Sequence, residues 1–217
     1  MSPASAKGAK HQLVAVYADE SCLGNGREGD NPGGAGALVE YMRPSGEMVR
    51  RDLWVSEKAT TNNRMALRSV IESFRLLSRK GKYFSVVFTS DSRYLIDGME
   101  SWVHGWAKRG WTRKTGPIEN LELWHAACDA VNGHEVQWRW VRGHHGHPQN
   151  EYANHLATSA AAQQSVSDGL ADSQFETWLA SQRERGKVRN AVDPFPEADA
   201  FKAASRLPAV STGRPML

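Results

Sequence analysis

Two apolar, β-rich runs that each end in a carboxylate constrain this chain more than any other feature. Val14-Ala15-Val16-Tyr17-Ala18 leads into Asp19-Glu20-Ser21, and Val86-Val87-Phe88-Thr89-Ser90 leads into Asp91-Ser92. Short runs rich in β-branched and aromatic residues read as buried strands. A carboxylate placed directly after such a strand stands at the rim of a sheet. Two rims brought together suit a hard cation that takes oxygen ligands. A third stretch, Gly143-His144-His145-Gly146-His147-Pro148-Gln149-Asn150-Glu151, opens a helix that carries Asn154.

The chain's 217 residues are enough for one domain and an appendage. Its 27 basic and 24 acidic residues leave a net charge of only +3, so composition alone points to no nucleic-acid partner. Where the charge lies decides that question. Cys22 and Cys128 are too few for a disulfide framework and read as free thiols in a reducing compartment. The first eleven residues lack the apolar stretch of a signal peptide. No run of apolar residues is long enough to span a membrane. A cytoplasmic protein without membrane contact is the expectation.

Residues 1–11 read as a disordered lead, and 12–162 as one α/β domain. Strands are expected over 13–18, 35–42 and 48–55, the last two joined by the turn Pro44-Ser45-Gly46. Thr60-Thr61-Asn62-Asn63 supplies capping residues for a helix whose apolar face is Leu67, Val70, Ile71, Phe74 and Leu77. A fourth strand over 84–89 follows a helix-length crossover, which implies a parallel partner. Helices over 92–99 and 120–131, a strand over 135–141 and a helix over 150–162 complete the order β-β-β-α-β-α-α-β-α. That order gives a mixed five-stranded sheet flanked by helices. The C-terminal extension, 163–217, begins with a polar linker over 163–169. A short helix around Phe175, Trp178 and Leu179 follows, and then a proline-bearing tail expected to be disordered. Such an extension either docks on the core or recruits a protein partner.

Several phrases together resemble bacterial ribonuclease HI. They are Tyr17-Ala18-Asp19-Glu20-Ser21-Cys22-Leu23-Gly24-Asn25, Ala59-Thr60-Thr61-Asn62-Asn63-Arg64-Met65 and Thr89-Ser90-Asp91-Ser92-Arg93-Tyr94-Leu95. Trp102-Val103-His104-Gly105-Trp106-Ala107-Lys108-Arg109-Gly110-Trp111 and Trp140-Val141-Arg142 running into the histidine-rich phrase complete the set. The resemblance covers roughly residues 13–162. It implies an RNase H-like fold and metal-dependent hydrolysis of the RNA strand of an RNA–DNA hybrid, by a monomer using two Mg²⁺ ions, with Mn²⁺ as a substitute. Two dications about 3.5–4 Å apart acidify the attacking water and neutralise the leaving oxygen, and carboxylates are needed to hold them so close.

By the same resemblance Asp19 would bridge both metals and Asp91 would ligate one. Asn154 occupies a further ligand position, and His144 would help product leave or shuttle a proton. Asn25, Asn62 and Gln149 would contact the hybrid near the scissile bond, and Thr61 would lie in a pocket for a DNA phosphate. Arg93 stands where many members carry glutamine. Trp102, Trp106, Lys108, Arg109 and Trp111, with Arg113 and Lys114 beyond, match a basic protrusion that grips the DNA strand. Trp102 and Trp106 are also spaced to form a helix interface, and Asn62 is also a good helix cap. Among the histidines, His145 is an extra beside His144, and His147 reads as structural.

The chain departs from the family at two acidic positions. Ala66 stands where the family has glutamate, and Asn154 where it usually has aspartate. An amide oxygen can still ligate a hard cation, whereas a methyl group cannot. Glu20, where the family has glycine, is the candidate replacement ligand. Strand alternation opposes it, since neighbouring residues point to opposite faces. Glu28 and Asp30 of an enlarged loop are a second source of charge. The expectation is a hybrid-specific endoribonuclease of reduced activity, the alternative a non-cleaving module that binds hybrid or duplex.

Overall fold

The computed structural model describes residues 8–24 and 31–210. Strands β1 (Leu13–Cys22), β2 (Gly33–Met42) and β3 (Met48–Glu57) follow one another antiparallel. Helix α1 (Asn62–Ser78) then crosses over, and β4 (Ser85–Ser90) pairs parallel on the free side of β1. Strand β5 (Glu135–Trp140) pairs parallel with β4. These are the five strands expected. A sixth, the two-residue β6 (Ala171–Asp172) from the extension, caps the edge of β3, giving the order β5-β4-β1-β2-β3-β6.

Strand β1 is apolar without a break because both faces of the sheet are covered. Val14, Val16 and Ala18 point into the core beneath α1 and α4 (Leu121–Val131). Ala15 and Tyr17 point the other way, against Leu38, Tyr152, and Phe175 and Leu179 of α6 (Phe175–Glu184). Leu13 and Val87 meet Phe201. Much of the second face is therefore covered by the extension.

Residues 190–210, part of the tail expected to be disordered over 190–217, lie against the sheet. Val188 and Phe201 are buried, and the Ala204 amide donates to the Val136 carbonyl at 2.7 Å. The extension attaches through single apolar anchors at irregular spacing, which no periodicity reveals. Part of the expected N-terminal lead joins it: the Gly8 and Ala9 amides donate to the carbonyls of Phe201 and Ala198.

The helix expected over 92–99 runs further. It forms α2 (Arg93–Asp97), a π-helical turn Gly98–Trp102 and α3 (Val103–Lys108). A Cβ on Gly98 would fall 2.0 Å from the Trp124 indole, so that ring packs on bare backbone.

Helix α5 (Pro148–Gln163) sits unusually close to β2. A Cβ on Gly36 would lie 2.5 Å from the Ala153 carbonyl oxygen and 2.6 Å from the Ala157 nitrogen, and one on Gly34 2.1 Å from the Ala157 oxygen. Glycines on the strand and alanines on the helix thus bring two backbones together, and this fixes where the start of α5 meets β1. Gly36→Ala must push helix backbone away, at a cost of about 1–3 kcal/mol. At roughly 2–4 °C per kcal/mol, the thermal midpoint should fall visibly. A midpoint equal to that of the starting protein would show that the contact is looser than described.

Candidate metal centre

The pairing of β1 with β4 stops at Ala18 opposite Ser90. Asp19 and Glu20 continue past that point, still paired with Gly36 and Ala35 of β2 on their other side. At the same level the chain leaves β4 through Asp91. Ligand oxygens of Asp19, Glu20 and Asp91 lie within 4.8 Å of one another. The site is therefore at the carboxyl ends of two parallel strands, where the chain order switches direction about β1, a common place for ligand sites in α/β sheets.

Alternation within β1 would send Glu20 away from Asp19, but the structure brings the two together. With no neighbouring strand beyond Ser90, carboxylates from both faces can fold over the open end of the sheet. Asp19 turns back far enough for its Oδ1 to accept the Glu20 amide at 2.7 Å, and Glu20 has the longer arm.

Crowding makes these groups reluctant to ionise. Burial, then the charges of Asp91 and Glu20, push the Asp19 carboxyl up to about 9. Burial and the Asp91 charge push Glu20 up to about 8, against the Ser92 hydroxyl. Asp91 is also raised, chiefly by burial, with His144 pulling the other way. Glu20 Oε2 is buried and has no hydrogen-bond partner. Three carboxylates that repel one another around an unpartnered buried oxygen fit a divalent cation, which would satisfy the oxygen and offset the repulsion.

The supporting residues are specific. Trp140 Nε1 donates to the Asp91 backbone carbonyl at 3.0 Å, and the Arg93 guanidinium lies 3.7 Å above the Trp140 ring. A Cβ on Gly143 would fall 1.9 Å from Asp91 Oδ2, so only glycine leaves that carboxylate its position. His144 follows, exposed and with a left-handed φ of 54°. From the start of α5, Asn150 Nδ2 donates to Asp19 Oδ2 at 3.0 Å, while Asn150 Oδ1 is buried without a partner. Asn154 lies one turn further along the same face, and its Oδ1 accepts from Thr158 Oγ1 at 3.5 Å. Ala66 is wholly buried in the core and offers nothing to a cation.

Other expectations fare unequally. Gln149, expected at the hybrid, is fully buried, and its amide is paired in both directions with the backbone of Asp193. Its place is structural because the extension covers it. Trp106 is likewise in the core, against Trp102 and Trp124. Trp102 keeps 37% of its surface exposed, and Trp111 packs edge-on to His125 at 4.3 Å. Lys108, Arg109, Arg113 and Lys114 are exposed, and among the described residues none forms an ion pair. Thr61 caps α1 by accepting from the Arg64 amide, while the Asn62 side-chain oxygen is buried and unpartnered. Asn25, Glu28 and Asp30 lie outside the described residues. Two residues escaped the sequence reading: Asn150, and Glu151, whose carboxylate accepts the Gly146 amide and whose charge raises Asp19 and Asp91. Both stood in a quoted phrase, but nothing in their spacing marked them out.

Residues 11–162 match the family model for RNase H. The chain belongs to the RNase H family. Ribonuclease H of Pseudomonas entomophila (strain L48) is 43% identical over 145 residues, covering 66% of this chain and 90% of its own. Ribonuclease H of Pectobacterium carotovorum subsp. carotovorum (strain PC1) is 39% identical over 156 residues, covering 71% and 94%. Among solved structures, LC9-RNase H1 is described as a type 1 RNase H with the type 2 active-site motif. It is 64% identical with a TM-score of 0.88, over 95% of this chain and 98% of that one. That likeness takes in the extension as well as the RNase H domain. RNase H enzymes use divalent metal ions, and the structure of this RNase H carries an acidic cluster that could hold one.

Raised carboxyls also have a thermodynamic sign. Between about pH 4 and 9 the folded, metal-free protein holds protons on Asp19 and Glu20 that the unfolded chain has released, so stability falls as pH rises through that window. Glu20→Gln removes one of the repelling charges. In metal-free buffer at pH 8 it should raise the thermal midpoint, while the additional rise that Mg²⁺ gives the parent protein should shrink or vanish. A variant no more stable than its parent without metal, and equally stabilised by Mg²⁺, would place Glu20 outside the centre.

Proposed function

We propose that this RNase H cleaves the RNA strand of RNA–DNA hybrids at a site where Asp19, Glu20 and Asp91 hold a pair of Mg²⁺ ions. The observation that carries this reading is the convergence of the Glu20 carboxylate with the other two, which returns the charge missing at Ala66. The description of LC9-RNase H1 as having the type 2 active-site motif supports it, because that protein is so similar over nearly the whole chain. At such a site, Asp19, Glu20 and Asp91 would hold ions whose chemistry is to make water more acidic and to offset charge on the leaving oxygen.

The chain's own residues do the rest. Asn150 orients Asp19 through its amide, and Trp140 and Gly143 hold Asp91 in place. Asn154 offers a neutral amide oxygen as the remaining ligand. His144, on its exposed turn beside Asp91, would take up or release a proton. The unpartnered oxygen of Asn62 suits a 2′-hydroxyl donor, the feature that separates RNA from DNA. By resemblance to the family, Asn25 and Thr61 would also contact the hybrid. Arg93, braced on Trp140, presents charge to a phosphate. Lys108, Arg109, Arg113 and Lys114, with Trp102 and Trp111 beside them, supply the sequence-independent grip on the DNA strand. A monomer suffices for this site, and the free thiols of Cys22 and Cys128 fit the cytoplasm.

The test is a labelled hybrid incubated with protein and Mg²⁺, and separately with Mn²⁺. The starting protein should cut the RNA strand, and Asp91→Asn should lose about a hundredfold or more, the several kcal/mol of charge stabilisation that a metal supplies. Tight binding of the hybrid without cleavage in either metal would favour the alternative, a binding module.

A further inference from the structure

The loop that carries His144 and opens α5 is fastened at several points by the extension. Asn190 Nδ2 donates to the His145 carbonyl at 2.8 Å. Three residues on, the Asp193 carboxylate accepts from Arg139 Nη2 at 2.6 Å and pairs with His147 Nε2 at 3.1 Å. The Asp193 backbone exchanges two hydrogen bonds with the Gln149 amide, at 2.9 and 3.2 Å. His147 caps α5, its Nδ1 accepting the Asn150 amide at 3.3 Å. Because Nδ1 accepts, the ring proton of neutral His147 is on Nε2 and points at Asp193. A connected path therefore runs from Asp193 through His147 to Asn150, and from Asn150 to Asp19.

The strap is itself anchored. Val188 is buried beside Tyr17, Tyr152 and Leu179, and Val192 and Phe195 pack on that cluster. Arg139, the other partner of Asp193, also bonds Thr89 Oγ1 on β4 at 3.1 Å. Asp193 thus ties the loop to the sheet, while Asn190 pins the carbonyl next to His144, a residue whose left-handed turn has no helix or strand around it to keep its shape.

From these contacts we propose that residues 190–193 are a positioning element for the cleavage reaction, with Asp193 and Asn190 fixing the loop that presents His144 and Asn150. This rests on the hybrid-cleaving function proposed above. Neither residue touches the reacting atoms. Each acts through a neighbour, as the outer partners of metal ligands do, and losing such a partner typically costs 10–100-fold in affinity or activity.

Three variants separate positioning from plain stability. Asp193→Ala and Asn190→Ala should lower kcat on a hybrid about 10–100-fold with KM within about twofold. Val131→Ala, in the core cluster under α1 and α4 rather than beside the strap, should lower the thermal midpoint and leave kcat unchanged below it. Asp193→Asn keeps an acceptor for His147 Nε2 and should recover most of the loss. Hydrogen exchange of amides 143–150, measured without metal or substrate, should speed up in Asp193→Ala and Asn190→Ala but not in Val131→Ala. If Asp193→Ala does not fold, Asn190→Ala, which gives up only a surface hydrogen bond to the loop, decides. Unchanged exchange over 143–150 together with parental kcat overturns the proposal. So does a loss that Val131→Ala matches in proportion to its destabilisation. A parent protein that never cleaves, with exchange altered as described, instead overturns the nuclease reading and leaves the strap in place.

Discussion

Mutual repulsion among Asp19, Glu20 and Asp91 is what the rest of the structure is arranged to contain. Three carboxylates within a few ångströms of one another, shielded from water, cost folding energy unless a proton or cation lies among them. Everything nearby is a means of enforcing that proximity. Strand β4 ends one residue before the cluster, Trp140 grips the Asp91 backbone, and Gly143 leaves room for its carboxylate. A protein that tolerates such a cluster is one whose function needs it, since folding alone would favour dispersing the charge.

Stability for this arrangement comes from the close fit of α5 on β2 and from burial of the sheet on both faces. Small residues at Gly34, Gly36, Ala153 and Ala157 let the helix come down onto the strand, and the helix start then delivers Asn150 to Asp19. On the same face the extension meets buried polar groups of the domain, Glu40 and Asp52. Glu40 pairs with Arg50, which also reaches Glu176 on α6, and Asp52 accepts from the Tyr152 hydroxyl at 2.6 Å. Extension and domain therefore share one core. In metal-free protein the cluster and this core pull in opposite directions, and a cation at the cluster would offset the repulsion.

Much of this was legible in the sequence, and the exceptions have physical causes. Unbroken apolar runs marked β1 and β4, alternation marked β5, and a 3.6-residue period marked α1. The family phrases pointed to Asp19, Asp91 and His144, and the structure brings the first two together with Glu20. Glu20 stayed ambiguous, since alternation describes a strand flanked on both sides and β1 loses one neighbour at that residue. Gln149 and Trp106 looked like substrate contacts, yet their surroundings are made by chain far away in sequence: Asp193 for the first, Trp124 for the second. The packing of residues 188–210 was invisible because its anchors follow no period. The unbroken apolar character of residues 13–18 did carry a hint, for a strand buried on both faces needs a cover and only the extension was left to supply part of it.

The most direct measurement is a crystal grown with Mn²⁺ and examined at the manganese absorption edge. If the three carboxylates form the metal centre, the anomalous map will show manganese beside Asp19 and Asp91 with a Glu20 oxygen in its coordination shell. Manganese bound with Glu20 turned away, or no manganese at the end of β1, would contradict it.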